Sequence, residues 1–273
     1  MVAVTWVLPN MTPFVAKLPT ATLVGERHGL SDGVPLILVH GFGGSRHDWH
    51  RIVGALQNER PVIVYDQRGF GDSAGEADSP FSHADDLIAL LDALEIDCAD
   101  VAGVSLGGAT VMGCAITAPE RVRHLIAVSP MLAGWEWSEE WIEQWKTIGR
   151  AARSGDMDCA RTLWFQHPLF APVREGKRAE ELWQAIAQFR GEQWVRDDQR
   201  AQLPMVDMLH SIPHPTLLLT GALDLPDFRL MADLIEAAVP NVTRFDDPTA
   251  GHLLTLERPT AIAGAIARFL EGQ

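Results

Sequence analysis

Residues 103–107 read Gly103-Val104-Ser105-Leu106-Gly107, where an apolar run from Asp100 to Val104 passes into a helix-like run from Leu106 to Ala118. A serine on a sharp strand-to-helix turn is pushed out of the fold with its hydroxyl exposed. Glycines at 103 and 107 leave space for a strained backbone and for close packing of helix on strand. The bland alternative is a glycine-rich helix start with Ser105 as its N-cap. Partners decide between the two. A serine hydroxyl is a poor nucleophile at neutral pH: it needs a base to take its proton, and the base needs an acid to fix its tautomer.

Both partners follow in the sequence. His252 lies in Ala250-Gly251-His252-Leu253-Leu254, after an apolar strand at Val242 to Phe245 and just before the last helix. Asp224 ends Thr220-Gly221-Ala222-Leu223-Asp224, directly after a strand at Thr216 to Thr220. The carboxyl end of a strand is where doubly wound sheets build their sites. Asp227 is a rival acid, but it falls where the next helix begins and reads as an N-cap. Asp246 and Asp247 read as holding the His252 loop, and the other nine histidines as surface or structural residues.

The elements that must position these residues alternate. Thr20 to Glu26 reads as an early strand, with Val2 to Leu8 as its candidate partner. Strands follow at Pro35 to Val39, Pro61 to Tyr65, Asp100 to Val104, Val122 to Val128, Thr216 to Thr220 and Val242 to Phe245. Helices are expected at Ser45 to Leu56, Phe81 to Leu94 with Ser82 as its N-cap, Asp227 to Ala238 and Pro259 to Leu270. Continuous apolar runs belong to strands buried on both faces. The alternation predicts an α/β fold, a mostly parallel doubly wound sheet flanked by helices.

One region breaks the rhythm. From Met131 to about His210 the segments are helix-like, and seven of the nine tryptophans fall there. The expected organisation is a core of residues 1–130 and 211–273 with a helical cap, 131–210, over the site. Trp137, Trp141 and Trp145 share one helical face. That face is either the helix's own core side or an aromatic lining for a pocket, with Trp137 and Trp141 then touching substrate.

Composition narrows the function. With 273 residues and 47% hydrophobic content the chain can bury a large core. A formal net charge of −14 repels phosphate backbones and argues against nucleic acid. No signal peptide or apolar run long enough for a membrane span is evident, so the expectation is a soluble cytoplasmic protein. Cys98, Cys114 and Cys159 read as reduced packing residues. Gly69-Phe70-Gly71-Asp72-Ser73-Ala74 fits a relaxed dinucleotide pattern but opens onto no helix, so it reads as a structural turn. No metal or nucleotide motif occurs, and no cofactor is expected.

Five motifs carry a resemblance. His40-Gly41-Phe42-Gly43-Gly44, the run Asp66 to Ser73, the serine turn, Gly221 to Asp224 and Gly251-His252 together resemble the α/β-hydrolase-fold serine hydrolases over nearly the whole chain. The resemblance is nearest to small carboxylesterases, enol-lactonases, carbon–carbon bond hydrolases and cofactor-free perhydrolases. It implies Ser105 as nucleophile, His252 as base, Asp224 as acid, and the backbone N–H groups of Phe42 and Leu106 as oxyanion donors. It implies a small ester or lactone as the partner molecule, with carbon–carbon bond hydrolysis as runner-up. A ligand receptor or cofactor-free oxygenase on the same fold, and a homodimer, stay open. Arg150, Arg153 and Arg161 are the cations to consider if the substrate is a carboxylate.

Overall fold

The computed structural model describes residues 11–76, 80–196, 199 and 204–272. The chain opens with β1 (Met11–Leu18) and β2 (Ala21–Gly29), an antiparallel pair. Then come β3 (Leu36–Val39), a 3₁₀ turn at Arg46–Trp49, α1 (His50–Leu56), β4 (Pro61–Tyr65), the short β5 (Ala74–Gly75), α2 (His83–Ala93), β6 (Ala99–Val104), α3 (Leu106–Thr117) and β7 (Val122–Val128). A helical stretch follows: α4 (Glu139–Arg153), α5 (Met157–Gln166), α6 (Ala171–Arg174), α7 (Ala179–Gln188) and α8 (Glu192–Val195). The chain closes with β8 (Thr216–Gly221), α9 (Pro226–Ala238), β9 (Val242–Asp247), α10 (Leu254–Glu257) and α11 (Pro259–Glu271).

The strands form one sheet in the order β1-β2-β4-β3-β6-β7-β8-β9, with β5 on β2. From β4 to β9 every pairing is parallel. The strand period of two sorts the apolar residues between two cores. Ile37, Val39, Ile63 and Val101 face α2, α3 and α9, packing with Leu87, Met112 and Ile235. Leu36, Leu38, Val62 and Ala102 face α1 and α11, packing with Ile52, Val53 and Ile266. All of β3 and β6 is buried, as a strand covered on both faces must be. The doubly wound reading of the sequence is the fold.

Three local expectations change. The partner of β2 on its outer side is Met11–Leu18, which carries Pro13 and is mostly exposed. A proline-bearing, half-solvated edge strand has no clean apolar signature. The stretch Val2 to Leu8 lies outside the described residues. The helix expected from Ser45 begins as the 3₁₀ turn, capped by Ser45 and Asp48, and becomes α-helical only at His50. Asp227 is not an N-cap: Leu225 caps α9 and Pro226 opens it, with the fixed backbone angle a first helical turn wants.

Among the described residues of 131–210 there is no strand, only the single bridge Phe81–Gln199. Cys114 is buried as expected, whereas Cys159 is exposed. No described helix is long and apolar enough to cross a membrane.

Candidate active site

Ser105 sits on the turn from β6 to α3 with φ 55° and ψ −114°, a left-handed conformation that non-glycine residues rarely hold. The surroundings over-determine it. Its N–H donates to the Val128 carbonyl at 2.9 Å, and its carbonyl accepts from Ala109 and Met131 at 3.1 and 3.0 Å. A Cβ at Gly103 would overlap the Gly107 carbonyl, and one at Gly107 would overlap the Val39 carbonyl. The glycines are what the turn requires, and the N-cap reading of Ser105 fails because its side chain caps nothing.

His252 and Asp224 come together from adjacent strand ends. His252 Nδ1 donates to Asp224 Oδ2 at 2.8 Å, with His252 1% and Asp224 9% exposed. The second carboxylate oxygen, Oδ1, accepts from the Leu225 N–H at 2.7 Å. The loops themselves are tied: Leu223 N–H donates to the Ala250 carbonyl, and Gly221 lies so close to Ala250 and Gly251 that a Cβ there would overlap their carbonyls. With Nδ1–H committed to Asp224, the Nε2 lone pair of His252 is bare, and that buried atom has no hydrogen-bond partner, Ser105 included. Phe228 packs on the imidazole at 4.2 Å between centroids.

A second carboxylate holds the histidine loop. Glu257 accepts the N–H of Gly251 at 2.9 Å and of Leu253 at 3.2 Å, bracketing His252 on both sides. Burial pushes its carboxyl above the ordinary glutamate range. Sequence reading missed this residue and gave the loop to Asp246 and Asp247. Asp247 does brace it, accepting from Thr249 N and Oγ1. Asp246 instead accepts from Thr220. Asp227, the rival acid, points elsewhere: it accepts from Trp135 Nε1 at 3.0 Å and from Ser138 Oγ at 2.6 Å.

The glycine-flanked loop after β3 closes the other side. His40 is fully buried; its Nε2 accepts from the Gln67 N–H at 2.9 Å, and its Nδ1 donates to the Gly41 carbonyl at 2.7 Å. That pattern fixes a neutral tautomer, and burial holds the imidazole pKa down. His40 is thus a loop brace with no free nitrogen. The N–H groups of Phe42 and Leu106 have no acceptor among the described residues.

Ser105, Leu106, His252, Gly41 and Phe42 all line one cavity of about 590 Å³. Trp137, Trp141, Trp145, Trp164 and Trp194 line it from the helical stretch. Trp137 stacks on Trp141 at 4.4 Å between centroids, and Trp141 on Trp145 at 6.2 Å. The tryptophan face both packs and lines the cavity. Trp183 packs on Phe165 and is not among the lining residues.

Three cations, Lys146, Arg153 and Arg196, also line the cavity, Arg153 donating to the Trp194 carbonyl at 3.1 Å. Arg150 and Arg161 do not reach it; they pair with Glu143 and Asp158. Asp48 lines the cavity below the Gly41–Gly44 loop, and burial pushes its carboxyl up to about 7. Lys146 and Asp48 lie in no motif, so the sequence does not single them out.

The comparisons agree with the geometry. A family model described as alpha/beta hydrolase fold matches residues 34–154. A 2-hydroxymuconate semialdehyde hydrolase from Pseudomonas sp. strain CF600 is 28% identical, over 96% of both chains. Among solved structures, a hydrolase from Pseudomonas aeruginosa PA01 superposes with a TM-score of 0.81 at 25% identity, covering 96% of this chain and 98% of that one. The Bacillus subtilis carboxylesterase CesB has the same fold, with a TM-score of 0.81 at 22% identity over 97% and 94% of the two chains. Sheet order, serine turn and these likenesses agree: the chain has the α/β-hydrolase fold.

Proposed function

We propose that this protein is a serine hydrolase that cleaves a small carboxylic ester or lactone through an acyl-enzyme. The observation that carries the reading is the buried Asp224–His252 bond, which leaves a bare Nε2 in the same cavity as the strained Ser105. Ser105 Oγ attacks the substrate carbonyl carbon while Nε2 takes its proton. The oxyanion that forms is held by the N–H groups of Phe42 and Leu106; one such donor is worth about 10²–10³ in rate. His252 then protonates the leaving alcohol oxygen and the C–O bond breaks. Water attacks the acyl-enzyme with His252 again as base, and the acid departs. The Ser105–His252 hydrogen bond closes as substrate fills the site, since catalytic hydrogen bonds tighten in the Michaelis complex.

In this reading residues 131–210 act as a cap over the core, and the stacked Trp137 and Trp141 bind a flat apolar or aromatic group of the substrate. A second reading, hydrolysis of a carbon–carbon bond in a vinylogous diketone acid, has its own support. Lys146 and Arg153 line the cavity and would meet a carboxylate, and the Pseudomonas sp. relative is named for such a semialdehyde substrate.

The test is fluorophosphonate labelling with the modified residue found by mass spectrometry, run beside turnover of p-nitrophenyl esters. Labelling at Ser105 with fast ester turnover is the expected outcome. No labelling at Ser105 overturns the nucleophile. Labelling without ester turnover, together with cleavage of a diketone acid, moves the assignment to the second reading.

A further inference from the structure

Away from the cavity, β2 and the 3₁₀ turn bring imidazoles and carboxylates together. Glu26 Oε2 accepts from His50 Nε2 at 3.1 Å and from His28 Nε2 at 3.0 Å. The His47 ring lies edge-on to that of His50, with centroids 4.8 Å apart. One ligand atom each from Glu26, His47 and His50 falls within 4.8 Å of the others. We propose that these three residues form a binding site for a zinc-class divalent cation.

Charge around the cluster supports a cation. The Arg46 guanidinium is shared by three carboxylates: Nε binds Glu26 Oε1 at 2.9 Å, Nη1 binds Asp66 Oδ2, and Nη2 binds Asp72 Oδ2 at 2.9 Å. With neutral imidazoles, one positive charge against three negative leaves the cluster two negative charges in excess. Asp72 is exposed and screened by solvent, whereas Glu26 and Asp66 are buried, so the one negative charge they hold in excess over Arg46 is screened poorly. A cation bound by Glu26, His47 and His50 offsets it.

The donor set selects the metal. Two imidazoles and one carboxylate suit zinc, nickel or copper, whereas calcium and magnesium want shells of oxygen. The carboxylate is already oriented: Oε1 is held by Arg46, and Oε2 accepts from His28. Fixing a ligand from behind in this way is what outer-shell partners of metal sites do. His28 Nδ1 has no partner and His28 is 3% exposed, so its proton resides on Nε2, aimed at Glu26. His47 is exposed, which gives the ion an entry path and lets its ring turn to close the shell. Ligation through Nε2 moves the His50 ring proton, now hydrogen-bonded to Glu26, to Nδ1, so the imidazole stays neutral, and water completes the shell.

The site ties β2 to the turn that directly follows the Gly41–Gly44 loop. An ion there clamps that turn without touching Ser105 or His252.

Tag-free protein, stripped with a chelator, is titrated with zinc chloride by calorimetry, with histidine ring nitrogens followed by NMR. One equivalent should bind, the ring signals of His47 and His50 should move, and those of His252 should stay. H47A changes an exposed residue, and circular dichroism checks its fold; it and H50Q should each weaken binding by about tenfold or more. Binding that shifts His252 or survives both variants overturns the site, as does absence of saturable uptake below millimolar zinc.

Discussion

Asparagine at position 224 should abolish turnover for a reason of proton placement. Asp224 Oδ1 faces the Leu225 N–H at 2.7 Å and Oδ2 faces His252 Nδ1 at 2.8 Å. An asparagine has one acceptor oxygen. The Leu225 N–H cannot change its polarity, so the amide oxygen goes there and the NH₂ faces the imidazole. Nδ1 must then accept, the ring proton moves to Nε2, and the base is lost. Loss of the correct tautomer costs on the order of 10⁴ in kcat, while the hydrogen-bond count and the fold stay nearly unchanged. D227A should do the reverse. Asp227 is also 9% exposed, but its oxygens serve Trp135 and Ser138, which anchor the helical stretch to α9. Those donors are only part-buried, so water recovers some of the loss, leaving about 2 kcal/mol and a melting point lower by about 4–8 °C. Ester turnover and thermal melts of both variants decide it. D224N within tenfold of the parent, or D227A losing turnover at full stability, refutes the assignment of the acid.

The remaining predictions concern the cavity wall, the serine turn and acid stability. W141A removes the middle ring of the stack and should lower the preference for aryl over alkyl esters by about tenfold, about 1.4 kcal/mol, in kcat/KM ratios; W183A, against Phe165, should leave that ratio alone. G103A forces a Cβ onto the Gly107 carbonyl and should cost about 3 kcal/mol, read as a lower urea midpoint and loss of Ser105 labelling. Burial and the nearby His252 hold His167 down at about 4, against the ordinary 6.5. The unfolded chain takes up that proton below 6.5 while the folded chain resists it until about 4, so stability falls as pH drops through this window. H167N keeps an acceptor for the Leu169 N–H and removes the titration. It should lose about 2 kcal/mol less than the parent between pH 7 and pH 5 in urea melts; an equal loss in both refutes the depressed histidine.

Legibility in the sequence followed the range of the interaction. The parallel strands were readable because burial on both faces leaves an unbroken apolar run, as in Leu36–Val39 and Thr216–Gly221. The serine turn was readable because its two glycines and its serine lie within five residues. What stayed hidden depends on contacts that leave no pattern in the sequence. Glu257 is an ordinary helix-terminal glutamate until the fold brings Gly251 and Leu253 onto its carboxylate. Asp227 looked like a cap because aspartate at a helix start usually is one; Pro226 took that end of the helix and freed the carboxylate for Trp135 and Ser138. Glu26 comes from β2, His47 from the 3₁₀ turn and His50 from α1, and only the fold brings Glu26 to the two histidines. The strand Met11–Leu18 was missed because an exposed edge asks little of its side chains.

In the proposed mechanism the acid is Asp224, and the sheet explains why this carboxylate meets His252. β8 and β9 are parallel neighbours, in register from Thr216 opposite Val242 to Gly221 opposite Asp247. Parallel strands end at the same edge, so the loops that leave them start side by side. The β8 loop is short: Ala222 and Leu223 donate to Asp247 and Ala250 as the chain turns, which puts residue 224 beneath the returning His252 loop. Three residues later the chain is already in α9 and rising away. The close approach of Gly221 to the Ala250 and Gly251 carbonyls holds the spacing, so a side chain at 221 would push the two loops apart and break the Asp224–His252 bond without altering either residue. The acid–base pair is therefore a property of two strand ends and one glycine. The serine, two strands away across β7, depends on none of these contacts and is held by Ala109 in α3, by Val128 at the end of β7 and by Met131 just beyond it. Damage to the pair should leave Ser105 in place and unactivated.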